Sequence, residues 1–317
     1  MSEPAAPPAR PGPWPVLERA LLAVLLCATA LTPLCHRFLP MNDAPSHIAT
    51  GAIARKLLLG DGFFAAHYTF QALPLPYWAC TLLMQGLQLV FDPLRAFAIV
   101  MAIYVVALPL GLRAVLRAVA PEDAGYARAL VLPGALAAIN WAYWLGEVNF
   151  LLGQPVALFA LALLLRSASV RSRAFAGFLA LVPIVYLCHI YALTALLIAA
   201  AGVVAPGVLQ ALLPRRAEKS ALGRLAAALP HPSRAQWLGA FYTLAHFAVA
   251  AYFVLFQHRT DANRGRMTLD LTLRKLAHVA IDPFDTLSGP AHWLTPLFVG
   301  ALRSEERRVG KECLRLC

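Results

Sequence analysis

The side chains in this chain that could do chemistry fall in three short stretches set between apolar runs. The first, Asn42-Asp43-Ala44-Pro45-Ser46-His47, carries a carboxylate and an imidazole four residues apart, on one face of any helix that begins by Asp43. The second holds Glu147 and Asn149, directly after the aromatic stretch Trp141-Ala142-Tyr143-Trp144-Leu145-Gly146, and the third is marked by His189. A carboxylate beside a pocket of low dielectric can act as a general base, and two carboxylates from separate loops could instead hold a divalent cation. Plainer uses compete with each of these. Asp43, like Asn42, precedes Pro45 and suits the cap of a helix Pro45 to Leu59. His47 either orients the Asp43 carboxylate or only donates a hydrogen bond to it. Glu147 suits a solvated hairpin tip, His189 an interfacial imidazole with its ring satisfied, and His246 a histidine packed against another helix. Tyr68, Phe70, Tyr77 and Trp78 add aromatic surface around Pro74 and Pro76, as sugar sites do and as any bilayer interface does.

The elements that must position these groups are apolar helices. The chain is 60% hydrophobic and 14% charged, against about 25% charged in a soluble domain, and its mean hydropathy is +0.66. Apolar runs recur at Val16 to Phe38, Tyr77 to Phe91, Leu94 to Leu112, Ala129 to Leu145, Phe150 to Leu165, Ala174 to Leu187, Tyr191 to Leu213 and Trp237 to Gln257, with another opening at Trp293. This pattern predicts an all-α polytopic transmembrane bundle of about seven to nine membrane segments, cut short at its C-terminal end. Residues 1–15 read as a disordered cytoplasmic tail and 16–302 as the transmembrane domain. A soluble enzyme behind a signal peptide is excluded. The net charge of +11 does not point to nucleic acid, because the Lys and Arg residues sit between apolar runs rather than on one soluble face. Cys27, Cys35, Cys80 and Cys188 lie in or beside apolar runs without CxxC spacing and read as buried free thiols. Phosphate-loop, GxGxxG, HExxH and GxSxG patterns are absent from the sequence.

Charge sets the sidedness. Arg113, Arg117 and Arg128 form one basic connector, Arg166, Arg171 and Arg173 the next, and Arg215, Arg216, Lys219, Arg224 and Arg234 the third. The positive-inside rule puts all three in the cytoplasm, so the hairpin tips at Gly146 to Asn149 and near His189 face outward with the long loop 37–76. That scheme requires one run before Arg113 not to span. Tyr77 to Phe91 is the shorter, reaching only about 22 Å at ~1.5 Å per residue against ~30 Å of hydrocarbon. It is expected to be re-entrant or interfacial, or to merge with its neighbour at Pro93. A further amphipathic stretch, Thr268 to Ile281, is expected to lie along the membrane surface.

With Asp43 in a long outer loop after the first helix, and Glu147 at the outer end of a later hairpin, the pattern resembles the GT-C superfamily of membrane glycosyltransferases. The run Asn149-Phe150-Leu151-Leu152-Gly153-Gln154-Pro155, followed by an apolar helix ending at Arg166, is similar to uncharacterised bacterial members. The resemblance spans Val16 to Leu213. It implies transfer of a sugar from a polyprenyl-phosphate donor to an acceptor at the outer face of a bacterial inner membrane, with membrane lipid and the polyprenyl-linked sugar as partners. Asp43 is then the catalytic base and Glu147 assists it or binds a cation, while His47 or His189 sits near the donor phosphate. Asn149, Tyr68 and Trp78 complete the substrate-binding set. The chain lacks the Asp-x-Asp or Asp-Glu pair of better-known members, so whether a divalent metal takes part stays open. The competing class is a transporter or flippase of a lipid-linked intermediate; Pro109, Pro133, Pro155 and Pro183 break apolar runs, but no internal repeat accompanies them.

The composition changes abruptly at Arg303-Ser304-Glu305-Glu306-Arg307-Arg308-Val309-Gly310-Lys311-Glu312-Cys313, which resembles a translated sequencing adapter. Residues 303–317 are therefore expected to be non-native, and the natural protein to continue past Leu302.

Overall fold

A computed structural model describes residues 14–36, 39–70, 76–120, 134–135, 138–212 and 229–256. The N-terminal tail, the stretch Thr268 to Ile281, the run from Trp293 and the end of the chain from Arg303 lie outside the described residues, as does most of the connector carrying Arg215 and Arg224. The described chain is helical, without a strand among the described residues. Its helices are α1 (Trp14–Cys35), α2 (Ala44–Leu58), α3 (Gly62–His67), α4 (Ala79–Leu87), α5 (Pro93–Val119), α6 (Trp141–Leu145), α7 (Val148–Leu165), α8 (Arg173–Cys188), α9 (Ile190–Leu212) and α10 (Arg234–Phe256). Three of them, α5, α7 and α9, are long and apolar enough to cross a membrane.

Local sequence explains the breaks. Asp92 accepts hydrogen bonds from the Leu94 and Arg95 amides and Pro93 takes the first helical position, so α5 starts afresh there. The Tyr77 to Phe91 run consequently yields only the nine residues of α4, about 14 Å at ~1.5 Å per residue, which is too short to cross hydrocarbon. Asp61 caps α3 and Ser172 caps α8 in the same way.

Three expectations need correcting. The run Ala129 to Leu145 is not one helix over its described part. Residues 138–140 form a turn, and the Asn140 side chain accepts the Tyr143 amide at 3.1 Å, restarting the chain as the five-residue α6. Arg113 and Arg117 do not lie in a connector, because α5 runs on to Val119 and carries both in its last turns. Of the four apolar-run cysteines, Cys80 and Cys188 are buried free thiols as expected, whereas Cys27 and Cys35 are exposed along α1.

Two apolar clusters hold the bundle. One gathers Met84, Phe97, Met101, Tyr104, Val148 and Leu151 from α4, α5 and α7. The other gathers Leu164, Phe178, Val182, Leu193 and Leu196 with Ala235 and Ala250 of α10. Within the first, Tyr104 donates from its hydroxyl to the Ala138 carbonyl at 3.0 Å and stacks on Tyr143. Gly111 of α5 meets Pro155 and Leu158 of α7, while Val148 and Leu151 join the residues around Phe97 and Tyr104. Helices α5 and α7 therefore run in the same direction. At the far ends of α7 and α9, Ser233 donates to the Ser167 carbonyl at 2.6 Å and Gln210 to that of Leu229 at 3.1 Å.

Near the site end Gly153 is tightly packed: a Cβ there would stand 2.6 Å from that of Ala192 and 3.2 Å from that of Cys188. Gly153→Ala should therefore lower stability by about 1–3 kcal/mol through overpacking. Gly202→Ala, with nothing within 4 Å of the added carbon, should not. Thermal unfolding of the two purified variants in one detergent checks this, and equal melting temperatures would contradict the tight α7 contact.

Candidate functional site

The site is organised by the end of α6. Gly146 has φ +80°, a left-handed conformation that glycine takes without the steric cost a side chain brings. The Gly146 amide donates to the Tyr143 carbonyl and the Glu147 amide to that of Ala142, the two bonds of a Schellman turn. The next carbonyls, of Trp144 and Leu145, are left without helical partners. Asn42 and Asp43 supply them: the Asn42 amide donates to Trp144 at 3.1 Å and the Asp43 amide to Leu145 at 3.0 Å. The approach is so close that a Cβ on Gly146 would lie 3.0 Å from the Asp43 nitrogen. The loop carrying Asp43 is thus joined by backbone hydrogen bonds to the turn that carries Glu147.

Asp43 occupies the N-cap position of α2, but its carboxylate caps nothing. Its backbone carbonyl takes the Ser46 and His47 amides, while its Oδ1 accepts from Asn42 Nδ2 at 2.9 Å. The half-buried carboxylate is thereby aimed by Asn42 and kept out of helix capping. His47 lies one turn on, with its ring hydrogen-bonded to the Gly146 backbone in the electrostatic reach of Asp43. That contact fastens α2 to the turn. Burial lowers its pKa below 6.5; Asp43 and the Gly146 contact oppose that shift and are outweighed.

Glu147 stands at the N-cap of α7, exposed and without a capping bond of its own. Asn149, only 6% exposed, uses its Oδ1 to accept the Cys80 amide at 2.9 Å. It caps α4 from a neighbouring helix, since Trp78 at the α4 N-cap provides no side-chain oxygen. Asn149 thereby positions α4 through its Oδ1. The Trp78 amide donates to the Leu187 carbonyl at 2.9 Å, tying α4 to the end of α8, and its half-buried ring lies against Phe70. Tyr68 is not drawn into this group: it ends α3, exposed, with its ring stacked on Phe64.

His189 fills the one-residue break between α8 and α9 and is 6% exposed. Its Nδ1 accepts the Tyr191 amide at 3.0 Å, and Tyr77, Tyr191 and Phe150 surround the ring with centroids at 4.7, 5.0 and 5.4 Å. Burial in this aromatic cage pulls its pKa down to about 4, so the imidazole is neutral at pH 7.

Tyr77 is the residue whose weight the sequence did not disclose. It was read only as one of several loop aromatics. It has φ +81°, a costly conformation for a non-glycine residue and one that is tolerated where the surroundings enforce it. It spans the two halves of the site, edge-on to His189 and in electrostatic reach of Glu147. Burial first, then Tyr191 and Glu147, push its phenol up to about 12, keeping it a neutral hydrogen-bond donor. Only the sequence Pro76-Tyr77-Trp78 after the second proline hinted at a forced turn.

Among the described residues no three His, Cys, Asp or Glu side chains converge as a metal site. The arrangement instead offers an oriented carboxylate at Asp43, a second at Glu147 and a phenol at Tyr77, with neutral imidazoles at His47 and His189. Comparison with protein-family models, with curated proteins and with solved structures returns no match to this chain.

His189 predicts a pH dependence. Its pKa is depressed on folding from about 6.5 to about 4, so between those values the unfolded chain binds a proton that the folded one refuses. Stability should fall as the pH drops from 7 toward 4, by roughly 3 kcal/mol at most from this group. His189→Phe should flatten that part of the profile in denaturation monitored by tryptophan fluorescence. An unaltered profile would place the acid sensitivity elsewhere.

Proposed function

We propose that this chain is a multi-pass membrane glycosyltransferase of the GT-C kind, which moves a sugar from a polyprenyl-phosphate donor to an acceptor hydroxyl at the outer face of a bacterial inner membrane. The observation that carries the reading is the joining of the Asp43 loop to the Glu147 turn through the Trp144 and Leu145 carbonyls. Two acidic residues more than a hundred positions apart thereby share one end of the bundle with Tyr77, Trp78 and His189. Charge supports the sidedness. Arg166, Arg173 and Arg234 lie at the opposite ends of their helices, and Arg113 and Arg117 toward that same end of α5. A nine-residue α4 that does not cross gives the start of α1 and those arginines a common cytoplasmic side, within a proposed bundle of seven to nine membrane segments.

In this reading the Asp43 carboxylate accepts the proton of the acceptor hydroxyl as that oxygen attacks the anomeric carbon. The bond from that carbon to the donor phosphate oxygen breaks, and the polyprenyl phosphate leaves with the bonding electron pair. Asn42 holds the carboxylate in place, and Glu147, exposed on the same rim, takes the acceptor's neighbouring hydroxyls. The neutral Tyr77 phenol donates a hydrogen bond to the substrate without bringing a positive charge to the rim, and His47, its one N–H already given to the Gly146 backbone, holds α2 beside the turn. Ionisable groups gathered at helix ends favour surface chemistry over carriage through the bilayer midplane, so transport or flipping ranks second.

Asp43→Asn is isosteric and leaves the backbone bonds to Trp144 and Leu145 untouched. It should cut sugar transfer in proteoliposomes by about 10²- to 10⁴-fold, the range for loss of a general base, with normal expression and melting temperature. Gly146→Ala should reduce transfer as well, by forcing the two loops apart. An Asp43→Asn protein that retains full transfer removes Asp43 from the reaction.

A further inference from the structure

Away from the site, the last turns of α2, the start of α3, the turn after α4 and the first residue of α5 enclose a groove of about 390 Å³. Its walls are apolar, with Ala52, Ile53, Leu59, Phe64, Phe91 and Pro93 among them. Two features interrupt the apolar lining. Arg55 and Lys56 stand at its edge, and the buried Nε2 of Gln88 has no hydrogen-bond partner among the described residues. A buried amide donor without an acceptor is uncommon in a native fold and calls for one. Around the mouth, Leu58, Phe63, Leu89 and Val90 are exposed, an apolar rim of the kind that contacts lipid.

We propose that this groove binds one anionic diacyl phospholipid of the surrounding bilayer. One acyl chain fills the apolar trough, an ester carbonyl accepts from Gln88 Nε2, and the headgroup phosphate pairs with Arg55. Charge complementarity selects the anionic headgroup. Arg55 has no ion pair among the described residues, whereas Lys56 is shared with Asp61 at 3.6 Å. Asp61 and Asp92, the nearby carboxylates, are engaged in capping α3 and α5, so they leave the arginine to the ligand. The Gln88 donor argues for an ester-containing lipid over a polyprenyl phosphate, which carries no ester carbonyl to satisfy it. Position argues the same way. Arg55 lies twelve residues along α2 from Asp43, about 18 Å at ~1.5 Å per residue, too far for a phosphate held there to present its sugar to that carboxylate. The bound lipid is thus a fixture of the fold, separate from any reacting donor, and its presence does not depend on the transferase reading.

Native mass spectrometry of the full purified chain tests this, after delipidation and titration with phosphatidylglycerol, phosphatidylcholine or a polyprenyl phosphate. The wild type should retain one phosphatidylglycerol in preference to the other two. Arg55→Gln should weaken phosphatidylglycerol by about tenfold, the worth of one charge-assisted hydrogen bond, and leave phosphatidylcholine unchanged. Gln88→Leu should weaken both diacyl lipids alike and spare the polyprenyl phosphate. Circular dichroism confirms that each variant is folded, and both substitutions remove groups that make no hydrogen bond among the described residues, so folded variants are expected. Equal retention of all three lipids by the wild type, preferential retention of the polyprenyl phosphate, or undiminished phosphatidylglycerol binding by Arg55→Gln would each overturn the proposal. Transfer activity plays no part in these readouts, so their failure is separable from failure of the proposed function.

Discussion

Two carbonyl oxygens at the end of α6 govern the geometry of the whole site end. The last carbonyls of a helix have no donors within it and must find them elsewhere. The Schellman turn at Gly146 satisfies Ala142 and Tyr143 internally and leaves Trp144 and Leu145 facing the start of α2. The chain answers with the amides of Asn42 and Asp43, so a requirement of backbone satisfaction brings the first loop to the second hairpin. The carboxylate of Asp43 travels with its own amide. Its placement beside the Glu147 turn is therefore as firm as a pair of backbone hydrogen bonds, and it does not rely on any contact between the two acidic side chains.

The other half of the site is secured by the same need. Helix α4 starts without a capping side chain of its own, and Asn149 of α7 provides the missing acceptor for Cys80 while the Leu187 carbonyl takes the Trp78 amide. One short helix is thus pinned at its first turn to two long ones. The constraint is paid for at Tyr77, whose φ of +81° lets the chain leave Pro76 and enter α4 at the angle these bonds dictate. The strained residue is also the one whose ring reaches His189, so the joint that fixes the helix also closes the aromatic cage.

Most of the long apolar helices could be read from hydrophobic runs, because burial and bilayer contact both select the same residues. The boundary at Asp92-Pro93 was visible too, as the two residues form a cap and a first turn that stop one helix and start the next. Interior breaks were harder. Asn140 lies in an apolar run and reads as a tolerated polar residue until its side chain is seen to restart the helix. Arg113 and Arg117 look like connector residues by charge, yet a helix continues through them since neither opposes helical geometry. In the site, Asp43, His47, Glu147 and His189 stood out because ionisable groups are costly among apolar neighbours. The tasks of Asn149 and Tyr77 were hidden, since capping a distant helix and adopting a positive φ are properties of the tertiary arrangement and leave no mark in local spacing.

The protonation states follow from the same packing. A protonated imidazole at His189 would sit near the π-faces of aromatic rings, which attract cations, yet desolvation outweighs that attraction in a cage this closed and keeps the ring neutral. His47 is subject to the same competition, with Asp43 pulling its pKa upward and burial pulling it further down. The neutral imidazoles of this rim thus follow from desolvation, and the placement of Asp43 from backbone geometry, with Asn42 bonded to its carboxylate.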